Sequence, residues 1–197
     1  MKKVILASAS PRRRELLEQI HVDFEVVVSD LEERITTDVP KQVVKELSVQ
    51  KALAVADRIL RERPGECGKL VVLGADTVVS CEGKILGKPA DEAQAKAMLS
   101  LLSGRTHQVY TGVSLVCFQQ GKPEVVCNFA EGTEVCFAEM SSEEIEEYVA
   151  TKDCYDKAGG YGIQGFCARY ITGIQGDYNN VVGLPVCRVY QELNKLG

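Results

Sequence analysis

A cluster of arginines, Arg12–Arg14, stands close to the start of the chain, directly after Ser10 and Pro11. A serine followed by a proline is typical of the beginning of a helix, because serine caps the first turn and proline is favoured at its first position. The helix dipole makes cations there unfavourable by roughly a few tenths of a kcal/mol each. The cluster therefore predicts a site for an anion such as phosphate, completed by backbone N–H groups and the hydroxyl of Ser8 or Ser10. A solvated basic turn is the alternative.

The carboxylate of Asp76 follows closely on an apolar segment, Leu70–Leu73, that predicts a buried strand. We expect this aspartate at the carboxyl end of the strand, where α/β proteins gather their functional sites. Its neighbours Gly74 and Ala75 are small and are expected to leave room for a ligand. Asp76 could bind a metal ion or accept a proton from water, and an ordinary turn aspartate is the alternative.

Two further acids, Glu32 and Glu33, follow a second predicted strand over Phe24–Val28. Adjacent carboxylates suit a hard cation such as Mg²⁺, which takes oxygen ligands and keeps several of its waters. A pair of solvated turn residues is the alternative.

Two lysines stand at positions that restrict where their charge can lie. On a helical wheel Lys51 lies between Val44, Leu47 and Val55, on a face that is expected to meet the core. A lysine there either extends its ammonium back to solvent or lines a cleft and neutralises phosphate. Lys88 stands in a tight turn between a glycine and a proline, which limits the directions its side chain can take.

Common nucleotide-binding and hydrolase motifs are missing from the sequence. It contains no G-x-x-x-x-G-K-[ST] phosphate loop and no G-x-S-x-G nucleophile elbow, and its histidines, His21 and His107, give little support for a catalytic triad. The basic groups described above suit a polyphosphate, and the acids suit a metal ion. Together they predict metal-assisted attack of water on phosphorus.

The predicted elements give an α/β fold with a mixed sheet, not a regular doubly wound one. Strands are expected at residues 4–7, 24–28, 70–73, 78–80, 109–118, 125–137 and 167–171. Helices are expected at 11–20, 40–61, 93–102 and 145–150 and from 185 onward. A turn at 120–123 joins the two long strands into a hairpin, and Ser141 with Glu144 predicts a capping box. The glycine-rich residues 157–165 are expected to form a loop.

The composition narrows the class of protein. Apolar residues make up 45% of the 197 residues, which suits a globular core, and no apolar run approaches the roughly 20 residues that span a bilayer. The start of the chain superficially resembles a signal peptide, but its apolar stretch, Val4–Ala7, is too short. We therefore expect a cytoplasmic protein without a membrane partner. A net charge of -5 disfavours nucleic acid as a partner. None of the eight cysteines forms a C-x-x-C pair, and because most of them stand in apolar stretches, we expect reduced core cysteines.

The chain resembles the Maf family of nucleotide pyrophosphatases in a series of segments that follow the family's order: LASASPRRRELL, LEER, QKA, GADT, GKP and DKAGGYGIQG. The resemblance extends from about Leu6 to the GLPV segment at 183–186, which is nearly the whole chain. It implies one Maf-like domain over residues 1–197, with two closely joined lobes around a central cleft. It also implies an elongated α/β fold related to the inosine-triphosphate pyrophosphatase group, a homodimer, and hydrolysis of nucleoside triphosphates between the α- and β-phosphates.

The same resemblance assigns roles to individual residues. It implies that Asp76 is the catalytic acid and proton acceptor, and that Glu33 and Asp76 bind a divalent metal ion. Mg²⁺ is the first expectation, with Mn²⁺ or Co²⁺ as alternatives. The residues assigned to the phosphates are Ser8, Arg13, Lys51 and Lys88, with both lysines counted in the catalytic set.

Three positions distinguish the subtypes of the family. This sequence has Arg12 after Ser-Pro, Thr77 after Gly-Ala-Asp, and Gln164 in Tyr-Gly-Ile-Gln, a trio that resembles the dTTP/UTP subtype. The subtype that acts on 7-methyl-GTP has Trp, Gln and Glu in these places. One departure is Gly160, where the dTTP/UTP subtype often has alanine. The expected partners are therefore small-molecule nucleoside triphosphates.

Two alternatives stay open at this stage. The first is the same reaction on another nucleotide, such as 7-methyl-GTP or a modified pyrimidine nucleotide. The second is a non-catalytic, nucleotide-binding regulator of cell division. Turnover discriminates the second from an enzyme, because a regulator would hold dTTP without releasing pyrophosphate.

Overall fold

The computed structural model describes residues 2–197 of the chain. The strands are β1 (Lys3–Leu6), β2 (Phe24–Val26), β3 (Leu70–Cys81), β4 (Lys84–Leu86), β5 (Thr106–Gln119), β6 (Lys122–Phe137) and β7 (Ile171–Gln175). The α-helices are α1 (Pro11–Gln19), α2 (Pro40–Glu62), α3 (Glu92–Leu102), α4 (Ser142–Ala150), α5 (Tyr178–Val182) and α6 (Val186–Asn194). Short 3-10 helices cover Pro64–Lys69, Ala158–Gly160 and Phe166–Tyr170.

The strands of residues 2–197 form one seven-stranded sheet in the order β2-β1-β3-β5-β6-β7, with β4 paired to β3. β1 runs parallel to β2 and to β3, and the other neighbouring strands are antiparallel. The expected α/β fold with a mixed sheet is therefore confirmed. The division of one domain into two closely joined lobes stays a prediction.

The predicted starts of the first two helices and the long hairpin are confirmed. α1 and α2 begin at the prolines that predicted them, and Ser141 with Glu144 forms the capping box in front of α4. The turn between β5 and β6 consists of Gln120 and Gly121, whose φ angles are 48° and 76°. Positive φ at both positions suits a tight hairpin, because the twist of such a turn matches that of the flanking strands.

Other local predictions were wrong. The segment 167–171 is largely a 3-10 helix, because Cys167 and Tyr170, three residues apart, are both buried in the core, which is a helical spacing. β2 ends at Val26, before the predicted end, because its neighbour β1 ends opposite it at Leu6. β4 and α5 were not predicted at all.

β3 is one continuous strand of 12 residues, so Asp76 lies in its middle and not at its carboxyl end. That prediction was wrong because β5 pairs with β3 from Val72 to Ser80 and holds the whole stretch extended. On the other edge of β3, the parallel strand β1 ends opposite Leu73, and β4 begins to pair only at Val79. Residues 74–78 therefore lie along a gap between two neighbouring strands, just beyond the carboxyl end of β1.

α2 lies close to this part of the sheet because two glycines face it. A Cβ atom on Gly74 would be 2.2 Å from the carbonyl oxygen of Ser48, and one on Gly112 would be 2.2 Å from that of Val44. The space beside Gly74 is thus filled by the helix backbone, and the prediction that it leaves room for a ligand was wrong. The two glycines let α2 approach the sheet more closely than any side chain would allow.

The core lies on both faces of the sheet. α2 covers one face, where Val44, Leu47 and Val55 are buried as predicted. α1 and α6 pack on the opposite face. None of the helices in residues 2–197 combines the length and the apolar character needed to cross a membrane.

Candidate functional site

A cleft of about 840 Å³ runs along the gap at the edge of β3. Its size is within the range of sites that hold small molecules such as nucleotides. Its walls include the start of α1, the segment that follows β2, one side of α2, the turn after β4 and the glycine-rich segment 157–165. The fold brings to this cleft every residue to which the resemblance assigns a role: Ser8, Arg12, Arg13, Glu33, Lys51, Asp76, Thr77, Lys88 and Gln164. Glu32, the other acid of the predicted pair, is exposed and does not line the cleft. Their individual roles stay predictions.

An ion-pair cluster occupies one wall of the cleft. The ammonium of Lys51 lies 2.9 Å from Glu33 Oε1 and donates a hydrogen bond to Asp76 Oδ1. The exposed fraction is 19% for the Lys51 side chain and 15% for that of Asp76, against 44% for Glu33. Two carboxylates thus share one positive centre, and of the three side chains Glu33 is the one most open to water.

Side chains of α2 hold the segment that carries Glu33. The Gln50 amide accepts a hydrogen bond from the Arg34 N–H (3.0 Å) and donates one to the Arg34 carbonyl (2.6 Å). Glu46 accepts from the hydroxyl (2.6 Å) and the N–H (3.1 Å) of Thr36, and these bonds lower the pKa of Glu46. The contacts take the place of strand pairing after β2 ends, and they fix Glu33 opposite α2.

Arg13 turns inward from α1 and is only 8% exposed. Its guanidinium donates to the carbonyl of Gly183 (2.9 Å), to the carbonyl of Ala75 (2.8 Å) and to the hydroxyl of Thr77 (3.1 Å). Burial lowers the pKa of Arg13, and the charge of Asp76 opposes this effect. Because the Ala75 carbonyl lies at the gap beside β3, Arg13 supplies the donor that a neighbouring strand would otherwise provide.

Ser8 has a donor left for a ligand. Its Oγ accepts hydrogen bonds from Arg13 Nη1 (2.9 Å) and from the Ser10 N–H (3.3 Å), so its own proton is left to donate. Within residues 2–197 the Ser10 side chain caps no N–H group of α1, and the predicted serine cap was wrong. The fixed φ of Pro11 suffices to start this helix.

The hydroxyl of Thr77 is engaged with protein groups. It accepts from Arg13 and lies 2.9 Å from the hydroxyl of Thr111. Thr111 uses its own proton for the carbonyl of Asn180 (2.9 Å), so the proton between the two threonines comes from Thr77. The Thr77 hydroxyl therefore has no proton left to donate to a ligand.

Arg12 is paired with the segment in front of the glycine-rich loop. Its Nη1 donates to Asp156 Oδ2 (2.6 Å) and its Nη2 to the Asp156 carbonyl (3.1 Å). The next residue, Lys157, donates in turn to Asp156 Oδ1 (2.7 Å). Arg12 and Arg13 thus already have protein partners, while Arg14 is exposed. The anion site of the arginine cluster stays a prediction.

The remaining predicted residues lie on the rim of the cleft. Lys88 and Gln164 are exposed. The turn with Lys88 contacts the glycine-rich segment, since the Gly159 N–H donates to the Gly87 carbonyl (2.9 Å). Below that segment, the Tyr161 hydroxyl lies 2.6 Å from Nε2 of a buried histidine, His107.

Burial sets the charge state of this histidine–tyrosine pair. It lowers the pKa of His107 to about 4 and raises that of Tyr161 well above its usual value. Both side chains are therefore neutral near pH 7. They anchor the glycine-rich segment to the core through an uncharged hydrogen bond.

The carboxylates around Lys51 fit a magnesium-type ion. They already stabilise one positive centre, the Lys51 ammonium, between Glu33 and Asp76. Within residues 2–197 no group of three or more His, Cys, Asp and Glu side chains is arranged to hold a metal ion. Two carboxylates completed by water and substrate phosphates are a donor set that Mg²⁺ commonly uses.

Sequence reasoning missed that Asp156 pairs both with Lys157 and with Arg12, which stands more than 140 positions earlier in the chain. A signal was present, because Asp156 stands directly before the glycine-rich segment and Lys157 is its first residue. The contributions of Thr111 and Asn180 had no comparable signal, since Thr111 lies within an ordinary strand pattern and Asn180 lies in α5, a helix that was not predicted.

The model of one protein family, described as Maf-like protein, matches residues 3–196. The chain belongs to the Maf-like family. This Maf-like protein is 54% identical over 203 residues to a dTTP/UTP pyrophosphatase of Agathobacter rectalis, with 100% of this chain and 98% of the relative covered. Proteins of the same printed name from Bacillus cereus and Bacillus cytotoxicus are 50% and 52% identical, over 99% of this chain and 96% of each relative. Among solved structures, a HAM1 protein from Coxiella burnetii superposes with a TM-score of 0.49 at 17% identity, covering 87% of this chain and 81% of that one.

Proposed function

We propose that this Maf-like protein hydrolyses dTTP and UTP to the nucleoside monophosphate and pyrophosphate. The observation that carries the proposal is the Glu33–Lys51–Asp76 cluster, which places two carboxylates and an ammonium group on the wall of a nucleotide-sized cleft. The proposal is further supported by relatives at 50–54% identity that carry the name dTTP/UTP pyrophosphatase.

A divalent metal ion is part of the proposal, with Mg²⁺ as the first choice and Mn²⁺ or Co²⁺ as alternatives. Glu33 and Asp76 are the residues that would hold it, because their carboxylates already converge on one positive centre. Such an ion would neutralise charge on the phosphates and increase the acidity of a bound water.

Proton transfer, phosphate binding and positioning are assigned to different residues of the cleft. Asp76 accepts the proton of the water that attacks the α-phosphorus, and the bond from this phosphorus to the bridging oxygen breaks, so that pyrophosphate leaves. Lys51 and Lys88 bind phosphate oxygens as point charges, and Ser8 donates its free proton to another. Arg13 was also assigned to the phosphates, but most of its donors are used by protein acceptors, so we assign it to holding Ser8 and the edge of β3 in place.

Base selection is assigned to Arg12 and Gln164, with Thr77 acting through Arg13. The amide of Gln164 carries a donor and an acceptor, which match the N3–H and a neighbouring carbonyl of uracil or thymine. Cytosine has an amino group where uracil has a carbonyl, so it would leave a polar group unpaired, at a cost of about 1–3 kcal/mol.

A cytoplasmic location and a homodimer complete the proposal. The homodimer is supported by the family resemblance, and the location by the intracellular nature of the substrates. Nucleic acid is not proposed as a partner, because the net charge of -5 opposes binding of a polyanion.

A panel of nucleotides tests the function. The purified protein is incubated with dTTP, UTP, CTP and 7-methyl-GTP in MgCl₂, and pyrophosphate and orthophosphate are measured separately. We expect pyrophosphate from dTTP and UTP, at a kcat/KM at least about 10-fold above that for CTP, since one unpaired polar group costs this much. Treatment with EDTA is expected to remove the activity and added Mg²⁺ to restore it.

Each failure in this panel has a distinct meaning. Orthophosphate as the first product would overturn the assigned cleavage position. Preference for 7-methyl-GTP would overturn the subtype. Tight binding of dTTP without turnover would favour a nucleotide-binding regulator, and full activity after EDTA would remove the metal ion from the proposal.

A further inference from the structure

Arg12 and Asp156 make a two-point contact across the mouth of the cleft. Two different nitrogens of the guanidinium bind two different oxygens of one residue, at 2.6 Å and 3.1 Å. Two parallel bonds fix the plane of a guanidinium as well as its position. The Arg12 side chain is 22% exposed, so the pair is partly shielded from water.

Lys157 connects this pair to the glycine-rich segment. Its ammonium donates to Asp156 Oδ1 (2.7 Å), to Asp153 Oδ1 (2.7 Å) and to the Asp153 carbonyl (2.6 Å). A lysine has three N–H donors, so all of them are used by protein acceptors and none is left for a phosphate. With an exposed fraction of 11%, this side chain is more buried than that of Lys51.

The stem of Lys157 also contacts the chain just before Gln164. A Cβ on Gly162 would lie 2.7 Å from Cε of Lys157 and 2.9 Å from Cδ. Gly162 therefore lets the backbone rest directly on this stem, two residues before Gln164. The route from Arg12 to Gln164 is a continuous series of contacts through Asp156, Lys157 and Gly162.

The charges favour this arrangement. Burial by itself would raise the pKa of Asp156, but hydrogen bonds from Lys157 and Arg12 outweigh it and lower the pKa. The carboxylate is thus ionised at neutral pH and joins two cations that would otherwise repel each other. The first turn of α1 carries no acidic residue of its own within the described chain, so Asp156 is the acid that balances Arg12.

We propose that Asp156 is a positioning residue that fixes the Arg12 guanidinium and, with Lys157, ties it to the segment that carries Gln164. The groups that select the base then act as one rigid unit. This inference rests on the proposed function, because it concerns the base-selecting end of that same site. It adds residues that neither touch phosphate nor take part in the chemical step.

The test compares wild type with Asp156→Ala, Asp156→Asn, Arg12→Ala and the double variant Arg12→Ala/Asp156→Ala. Glu146→Gln is the matched control, because Glu146 forms an exposed pair with Lys96 between α3 and α4 and does not line the cleft. Measured quantities are kcat and KM for dTTP and CTP, the melting temperature, and the affinities for non-hydrolysable α,β-imido dUTP and dCTP.

We expect Asp156→Ala to raise KM for dTTP about 10-fold, which corresponds to about 1.4 kcal/mol, with kcat within about threefold of wild type. The preference for dTTP over CTP should shrink by a similar factor, and Asp156→Asn should give a smaller change. In the Arg12→Ala background the substitution should have little further effect, because the residue that it positions is gone. Glu146→Gln should match wild type in all kinetic constants.

Several results would overturn the inference. One is an equal effect of Asp156→Ala with and without Arg12, and another is an unchanged preference for dTTP over CTP. A loss of kcat that follows the melting temperature in both Asp156 variants would show a merely structural role. If wild type releases no pyrophosphate, the proposed function fails separately, and the ratio of α,β-imido dUTP to dCTP affinity in each variant still decides the positioning role.

Discussion

The substitution Asp76→Asn separates chemistry from stability at the centre of the cleft. It keeps the shape of the side chain and one oxygen, but it removes the negative charge that pairs with Lys51. Lys51 keeps a second carboxylate partner, because Glu33 lies 2.9 Å from its ammonium. The change therefore removes the proposed proton acceptor without leaving a cation unpaired.

The expected magnitudes differ strongly for the two properties. A general base contributes about 10²–10⁴-fold to a rate, so we expect kcat to fall at least about 100-fold, or about 2.7 kcal/mol. Loss of one partner from a fully buried pair costs about 3–5 kcal/mol, and from an exposed pair about 0–1 kcal/mol. Because Glu33 remains and Lys51 is 19% exposed, we expect about 1 kcal/mol, which lowers Tm by about 3 °C.

The assay is pyrophosphate release from dTTP at saturating substrate, with thermal melting of the same preparations. Glu131→Gln is the control, since Glu131 on β6 pairs with Arg188 and does not line the cleft. It should change Tm by a similar small amount and leave kcat unchanged. Near-normal turnover of Asp76→Asn would refute the assignment of the base, and a collapse of Tm by more than 10 °C would refute the account of the ion-pair cluster.

The remaining predictions concern the rim, the sheet and the core. Gln164→Glu should lower kcat/KM for dTTP and UTP about 10-fold or more at unchanged Tm, since Gln164 is exposed; unchanged kinetics would make it an ordinary loop residue. Gly112→Ala should destabilise the fold by about 2 kcal/mol or more, because the new Cβ would meet the Val44 carbonyl. Gly173→Ala is the control, since the space around Gly173 is open. Equal melting curves for the two variants would contradict this account. His107 should weaken the fold in acid: its pKa is about 4 when folded and about 6.5 when unfolded, so as pH falls from 6.5 towards 4 the unfolded chain takes up the proton first. Up to about 3 kcal/mol of the free energy of unfolding is lost over that range. In urea unfolding at pH 7, 5 and 4, this free energy should therefore fall less with decreasing pH for His107→Gln than for wild type. An equal fall in both proteins would exclude His107 as the cause.

Local sequence signals predicted a large part of the fold. The prolines at 11 and 40, the capping box at 141–144 and the turn at 120–121 act within a few residues, so their physics is readable from the chain alone. The strand predicted at 167–171 was wrong because local signals do not include contacts with distant parts of the chain. Its apolar residues suit a strand by composition, and only packing of Cys167 and Tyr170 in the core makes a 3-10 helix favourable.

The candidate site was found as a set of residues, while its geometry was not predictable. The sequence offered acids and cations that suit a metal ion and a polyphosphate, and most of them line one cleft, whereas Glu32 and Arg14 do not. It could not indicate that Asp76 lies in mid-strand, because that depends on the pairing of β3 with β5 from residue 72 to 80. Nor could it indicate that Arg13 is used by protein carbonyls, because those carbonyls come from distant parts of the chain.

By itself, then, the sequence determined which chemical groups this protein possesses and which local elements carry them, since helix starts, turns and motifs depend on neighbours along the chain. Only the tertiary structure decided which charges meet. Lys51 reaches Asp76 because Gly74 and Gly112 let α2 lie against the sheet, and Arg12 meets Asp156 across 144 positions of sequence. Such contacts form when folding closes long loops, and their energies depend on burial and distance, which no local pattern contains.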